Sequence, residues 1–171
     1  MQWQTARYAI DLSRPRVMGI VNVTPDSFSD AGAHATTAAA LAHCEALLAQ
    51  GADMLDIGGE STRPGARAPS ADEERERVMP VLRHALHLGV PVSVDTRRAA
   101  LMREALDAGA DIVNDVQALR GAGAEAVLAS FPRAGICLMG NSMGAGGALY
   151  LGAKYPENWA ASAPCAANGT N

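Results

Sequence analysis

Residues 91–114 read PVSVDTRRAALMREALDAGADIVN, which is a short apolar strand, a helix and a second apolar strand in one run. The helical part, residues 97–108, is rich in alanine, leucine, glutamate and arginine, and Gly109 is placed to end it. Two strands joined by a helix of this length are typical of a parallel β/α unit. This stretch therefore predicts an α/β fold.

The same alternation recurs along the chain. Strands are predicted at residues 17–23, 54–58, 91–94, 112–114, 135–139 and 160–163. Helices are predicted from residue 36 or 37 to 50, and at 70–88, 97–108, 124–130 and 145–155, the second opening with a capping box of Ser70 and Glu73. A closed eight-unit barrel takes about 250 residues, and this chain has 171. We therefore expect a partial TIM-type (β/α) barrel of five to six parallel strands.

Composition excludes several classes of function. The chain carries 14 Lys and Arg against 18 Asp and Glu, a formal net charge of −4, which disfavours a nucleic-acid binder. No apolar run approaches the roughly 18 residues that span a bilayer, and residues 1–10 lack the pattern of a signal peptide. The three cysteines are widely spaced, as reduced thiols would be. These features predict a cytoplasmic protein without a membrane partner.

Polar side chains close four successive predicted strands: Asn22, Asp56, Asp95 and Asn114. In a parallel sheet or barrel the carboxyl ends of the strands meet at the ligand site. Two carboxylates and two amides suit a flat, nitrogen-rich ring with N–H donors, whereas any one of them alone could merely cap a loop or a helix.

The loop at residues 60–65, ESTRPG, adds two hydroxyls, a guanidinium and backbone N–H groups after the second strand. These are the parts of an anion site. The alternative is an ordinary Pro-Gly turn with a solvated arginine.

Four segments resemble the signatures of dihydropteroate synthases. They are VMGIVNVTPDSFSD at 17–30, GADMLDIGGESTRPG at 51–65, VSVDT at 92–96 and DIVNDV at 111–116. The resemblance covers residues 1 to about 139. It implies a TIM-barrel transferase of folate biosynthesis that joins 7,8-dihydropterin-6-ylmethyl diphosphate to 4-aminobenzoate and releases diphosphate.

The resemblance also implies roles for individual residues. Asp95 and Asn114 would hold the pterin, with Asp56 supporting that pocket, and Asn22 would hold Mg²⁺ on the diphosphate. The remaining residues lie on the first two loops. They are Thr62 and Arg63 for the anionic end, and Phe28, Thr62 and Pro64 for the 4-aminobenzoate site that sulfonamides occupy.

Residues 140–171 are predicted to be a foreign segment, so that the domains are 1–139 and 140–171. Gly140-x-Ser142-x-Gly144 between a strand and a helix resembles the nucleophile elbow of an α/β-hydrolase esterase. Residues 143–171 contain no His and no Asp, and Glu157 is their only side-chain carboxylate, so we expect Ser142 to be a poor nucleophile. The alternatives to the synthase are therefore a serine esterase fragment using Ser142 and a non-catalytic β/α fragment.

An incomplete barrel exposes strand edges, so we expect a homodimer or an aggregation-prone chain. The later aspartate, lysine and Arg-x-His element of the family are not found after residue 139. We accordingly expect weak synthase activity, or none, from this chain.

Overall fold

A computed structural model describes residues 2–24, 32–61, 65–130, 137–141, 148, 150, 152–154, 156 and 161–165. The chain divides into two compact units, Met1–Val127 and Leu128–Asn171. Among the described helices, none combines the length and the apolar character that a membrane span requires.

The first unit contains a four-stranded parallel sheet whose spatial order follows the chain order. It begins with an antiparallel hairpin, β1 (Gln2–Gln4) and β2 (Ala9–Asp11), which the sequence pattern did not predict. The parallel strands are β3 (Met18–Asn22), β4 (Met54–Gly58), β5 (Val92–Asp95) and β6 (Ile112–Asn114). The helices that follow them are α1 (Gly32–Ala49), α2 (Ala71–Ala85), α3 (Ala99–Ala108) and α4 (Ala124–Ala129). The predicted partial α/β barrel is confirmed, although α1 begins four or five residues before the expected cap at residue 36 or 37.

Local signals explain where the elements begin and end. Ser70 accepts a hydrogen bond from the N–H of Glu73, and the Glu73 carboxylate accepts one from the N–H of Ser70, so the predicted capping box is present. Gly51 and Gly109 follow α1 and α3 with φ of 101° and 108°. Only glycine adopts this left-handed backbone without strain, so these two residues end their helices as predicted. The helix α2 was expected to run to about Leu88 and stop at Gly89, but it ends at Ala85 with Leu86 as its right-handed cap, and Gly89, with φ of 77°, belongs to the turn that follows.

The core lies between the parallel sheet and its helices. Leu55, Ile57, Val92 and Val94 occupy alternate positions of β4 and β5 and are fully buried in one apolar cluster with residues of α2 and α3. Because neighbouring residues of a strand point to opposite faces, the intervening residues face away from the helices. This opposite face, which we call the inner face, carries the polar side chains that concern function.

Acidic residues at the starts of two strands anchor the N-terminal segment. Asp111, directly before β6, has a fully buried side chain and accepts hydrogen bonds from the Arg7 guanidinium, the Thr5 hydroxyl and the Val92 N–H. Asp53, directly before β4, accepts hydrogen bonds from the Arg16 guanidinium and from the N–H of Val17.

The Asp53 contacts also perturb its titration. The hydrogen bond from the Val17 N–H and the one from the Arg16 guanidinium lower the pKa of Asp53 to about 2. The carboxylate is therefore ionised wherever the protein is folded near neutral pH.

The second unit contains two parallel strands, β7 (Cys137–Asn141) and β8 (Ala161–Cys165), paired with Cys137 opposite Ala161. The two last predicted strands are thus present, shifted by one or two residues. Residues 148, 150 and 152–154 are helical, as the predicted helix at 145–155 requires.

A buried carboxylate ties α2 to the segment after β5. Glu74 is fully buried in the first turns of α2. Its Oε1 accepts a hydrogen bond of 2.7 Å from the Thr96 hydroxyl, and its Oε2 accepts one of 2.6 Å from Arg98 Nε. Arg98 also donates to the carbonyl of Pro69. A buried charge is tolerated only when it is paired in this way, so the network fixes the backbone that leaves β5.

We expect Arg98→Ala to lower the free energy of unfolding by about 3 kcal/mol, because it leaves the Glu74 charge buried without its cation. The matched control is Arg75→Ala, which removes an exposed pair with Glu104 and should cost less than about 1 kcal/mol. Urea unfolding of the full chain measures both. Equal losses in the two variants would contradict this role for the network.

Candidate active site

Three of the four predicted strand-end residues lie in one row across the inner face. The parallel register pairs Asn22 with Gly58, Gly58 with Asp95, and Asp95 with Asn114. Asn22 and Asn114 are exposed and Asp95 is half-buried, so the row is accessible to a ligand. The expected convergence of Asn22, Asp95 and Asn114 at the carboxyl rim is confirmed by this register.

Asp56 does not end its strand, which corrects the sequence-based expectation. β4 continues to Gly58, so Asp56 lies two residues before the rim and pairs with Ser93 of β5. Asp56 is only 3% exposed. Its Oδ2 accepts a hydrogen bond of 3.0 Å from Nδ2 of Asn114, so the deeper carboxylate holds the amide of the rim residue in place.

Gly58 gives Asp95 its room. A Cβ atom built at Gly58 would lie 3.3 Å from both Cβ and Oδ2 of Asp95, which is tighter than ordinary van der Waals contact. A side chain at this position would require Asp95 to shift by a few tenths of an ångström. Gly58 therefore contributes to the site through the space that it leaves for Asp95, although it has no side chain to contact a ligand.

Burial and the charges of four surrounding carboxylates raise the pKa of Asp95 to about 6. Burial is the largest cause, and Asp56 has the largest effect among the four carboxylates. The ordinary value of this group is 3.8. Protonated Asp95 therefore stabilises the fold fully below that value, and the contribution is lost as the pH rises through about 6. The ionised form of Asp95 is unfavourable in the free protein, because it is partly buried among other carboxylates. A ligand that donates N–H hydrogen bonds to it would stabilise this form.

A cleft of about 250 Å³ adjoins Asp95 and is lined by Glu60, Asp95, Thr96, Arg97, Val116 and Gln117. Arg97 and Glu60 form a bidentate pair in it, with both N–O distances 2.9 Å. Such a fork fixes two side chains in one geometry. It links the segment after β4 to the segment after β5.

The loop after β6 is held in a strained form beside this cleft. Ala118 and Leu119 have φ of 52° and 62°, which costs non-glycine residues about 1–2 kcal/mol each. The Asp115 carboxylate accepts hydrogen bonds from the N–H groups of Gln117 and Leu119. These bonds compensate for the strain and hold Gln117 at the cleft.

Several residues of the candidate site were not predicted from the sequence. Arg97 and Gln117 line the cleft, and Ser93 lies on the inner face beside Asp56. The available signal for Ser93 is a polar residue two positions before Asp95 in an otherwise apolar strand, since residues two apart share a face. The predicted residues Phe28, Thr62, Arg63, Pro64 and Ser142 lie outside the described residues.

The chain matches a family model described as "Pterin binding enzyme" over residues 18–155. That range extends past residue 139, and the predicted domain boundary there stays a prediction.

Named relatives are dihydropteroate synthases. The one from Neisseria meningitidis serogroup B is 51% identical over 157 residues, which are 91% of this chain and 55% of the relative. The Escherichia coli K12 synthase is 48% identical over 117 residues, 68% of this chain and 42% of the relative. The chain thus spans about half the length of the curated relatives it matches.

Solved structures of dihydropteroate synthases are also similar to this chain. The Xanthomonas albilineans dihydropteroate synthase with 4-aminobenzoic acid superposes with a TM-score of 0.74 at 52% identity, covering 81% of this chain and 51% of that one. A structure of the enzyme from the same organism with 7,8-dihydropteroate has a TM-score of 0.70 at 47% identity, covering 81% and 50%. With a family model matched over most of its length, the chain belongs to the family of pterin-binding enzymes.

Proposed function

We propose that this chain forms the pterin-binding part of a dihydropteroate synthase of folate biosynthesis. That transferase joins 7,8-dihydropterin-6-ylmethyl diphosphate to 4-aminobenzoate and releases diphosphate. The observation that carries the proposal is the rim row of Asn22, Asp95 and Asn114 above the Asp56–Asn114 hydrogen bond. Relatives of the same name and structures with 4-aminobenzoic acid and dihydropteroate support it.

The described residues account for recognition of the ring. Ionised Asp95 accepts N–H donors from a heterocycle, and the Asn114 amide, oriented by Asp56, adds a donor and an acceptor beside it. Held in this way, the ring presents its methylene toward the cleft. Negative carboxylates around the ring also favour positive charge that develops at the methylene as diphosphate departs.

The Asn22 amide oxygen suits Mg²⁺ that arrives on the diphosphate. Within the part of the chain that is described, no group of three or more His, Cys, Asp or Glu forms a metal cage. Mg²⁺ commonly keeps its waters and binds through few protein oxygens plus substrate phosphates, and the exposed Asn22 amide can supply one such oxygen. When bound, the ion would neutralise charge on the leaving diphosphate.

The first two loops complete the proposal. Thr62 and Arg63 would bind the anionic end, and Phe28, Thr62 and Pro64 would form the 4-aminobenzoate site, which is also the sulfonamide site. These assignments rest on the sequence resemblance. A cytoplasmic location and self-association into a homodimer or aggregate likewise stay predictions.

A pH titration of binding tests the pterin site. By calorimetry on the full chain, affinity for 6-hydroxymethylpterin should rise from pH 5 to pH 7.5 with a midpoint near 6, because Asp95 becomes an acceptor as it ionises. Asp95→Asn should bind weakly and without this pH dependence. Asp107→Asn, on the exposed side of α3, is the control. No binding by the unaltered chain at millimolar ligand would refute the proposed function.

Magnesium dependence tests Asn22. A diphosphate-bearing pterin analogue should bind roughly tenfold more weakly in EDTA than in Mg²⁺, which corresponds to about 1.4 kcal/mol. Asn22→Ala should remove this difference, while 6-hydroxymethylpterin, which has no phosphate, should be indifferent to Mg²⁺ in both proteins. An unchanged magnesium effect in Asn22→Ala would argue against Asn22 as a ligand.

Covalent labelling tests the esterase alternative. A fluorophosphonate should leave the chain unlabelled, because the sequence after Ser142 supplies no histidine base. Mass spectrometry of the treated chain gives the answer. Labelling that disappears in Ser142→Ala would establish a working nucleophile instead.

A further inference from the structure

Arg97 is the only cation among the described residues that line the cleft, and the proposed mechanism does not use it. Its Nε and Nη2 donate to Oε2 and Oε1 of Glu60, both at 2.9 Å. The Arg97 and Glu60 side chains are 31% and 19% exposed, so the pair lies at the surface of the cleft and not in the core. Partly exposed ion pairs add little to stability, so the fixed geometry of this pair needs another explanation.

The backbone on the Glu60 side of the pair is fixed by α2. A Cβ atom built at Gly59 would lie 2.7 Å from Cγ2 of Val78, so the chain passes this helix too closely for a side chain at that position. Arg77 of α2 also donates a hydrogen bond of 3.4 Å to the Gly59 carbonyl. Glu60 therefore follows β4 from a defined point, directly before residues 61–65.

The backbone on the Arg97 side is fixed by its two neighbours in the chain and by the loop after β6. The buried Glu74 carboxylate accepts hydrogen bonds from the side chains of Thr96 and Arg98. Arg97 lies between those two residues, so its backbone is held from both sides. A Cβ atom at Gly121 would collide with the Arg97 carbonyl oxygen, so the loop after β6 packs directly on this backbone. Both partners of the pair thus have anchored backbones.

The pair lies at the start of the segment that the proposed function assigns to the anionic end of the substrate. That segment, residues 61–65, includes Thr62 and Arg63 and begins directly after Glu60. A bidentate fork fixes both the distance and the angle between its two partners, whereas a single point charge fixes neither. The fork therefore ties the start of this segment to the strand that carries Asp95.

We propose that Arg97 is a positioning residue, whose fork with Glu60 sets where residues 61–65 begin and so places their phosphate-binding groups relative to the rim row. The inference rests on the proposed function. It differs from a direct role of Arg97 as a cation for phosphate in what Glu60 does. A positioning pair needs the carboxylate for phosphate binding, whereas a carboxylate beside a cation weakens the attraction of that cation for phosphate.

The test measures how much affinity the diphosphate adds. Calorimetry on the full chain compares 6-hydroxymethylpterin with 6-hydroxymethylpterin diphosphate, and the ratio of the two dissociation constants is the diphosphate gain. EDTA is present, so that Mg²⁺ at Asn22 contributes nothing. Arg97→Lys keeps the charge but cannot form the fork, and Glu60→Gln removes the negative charge. Both should reduce the diphosphate gain about fivefold, the loss expected for one misplaced hydrogen bond to phosphate.

Arg75→Lys is the matched control. Arg75 on α2 forms a fork of the same kind with Glu104 on α3, and neither residue lines the cleft. This substitution should leave the diphosphate gain unchanged. Arg97→Lys and Arg75→Lys should also melt at similar temperatures without ligand, because both pairs are partly exposed.

Three outcomes overturn the inference. A larger diphosphate gain in Glu60→Gln would show that Arg97 binds phosphate directly. An unchanged gain in either of the two cleft variants would show that the fork does not place the segment. A diphosphate that adds no affinity in the unaltered chain would remove the role of residues 61–65 in phosphate binding. In each case the unaltered chain still binds the ring, whereas failure to bind the ring defeats the proposed function as well.

Discussion

The site depends on the register of the parallel pairing between β4 and β5. This register places Asp56 beside Ser93 and Gly58 beside Asp95, with the apolar residues between them turned into the core. A slip of one residue would exchange the two faces and bury the carboxylates against the helices. The same apolar side chains that drive folding therefore hold the register that creates the ligand face.

Aspartates serve opposite purposes at the two ends of the sheet. Asp53 and Asp111, before β4 and β6, are saturated with hydrogen bonds from arginines and backbone N–H groups. Asp95, at the carboxyl end, has no arginine partner within the described ranges, and its pKa is raised to about 6. A satisfied carboxylate contributes to stability, whereas an unsatisfied one is free to bind a ligand. The difference lies in the surroundings and not in the residue type.

Much of the fold could be predicted from the sequence because its signals are local. Alternating apolar runs, the Ser70–Glu73 box and the glycine stops indicated the strands and helices of the parallel sheet. The hairpin of β1 and β2 was missed because its strands are three residues long and owe their position to distant contacts such as that of Arg7 with Asp111.

The site could be predicted only in part, for a related reason. Strand-end residues follow from topology, which identified Asn22, Asp95 and Asn114. The depth of Asp56 depends on where β4 ends, and element boundaries are poorly specified by local pattern. Glu74 is one of three successive acids, with Asp72 and Glu73, and only tertiary packing determines which of them is buried.

The bond between Arg7 and Asp111 has a consequence for synthesis. Its two residues are 104 positions apart in the chain. A ribosome adds about 5–20 residues per second, so the N-terminal segment emerges several seconds before its anchor exists. During that interval the hairpin of β1 and β2 lacks its Asp111 anchor at the base of the sheet. A segment made early is thus anchored late, and the nascent chain completes this end of the sheet only after β6 has left the ribosome.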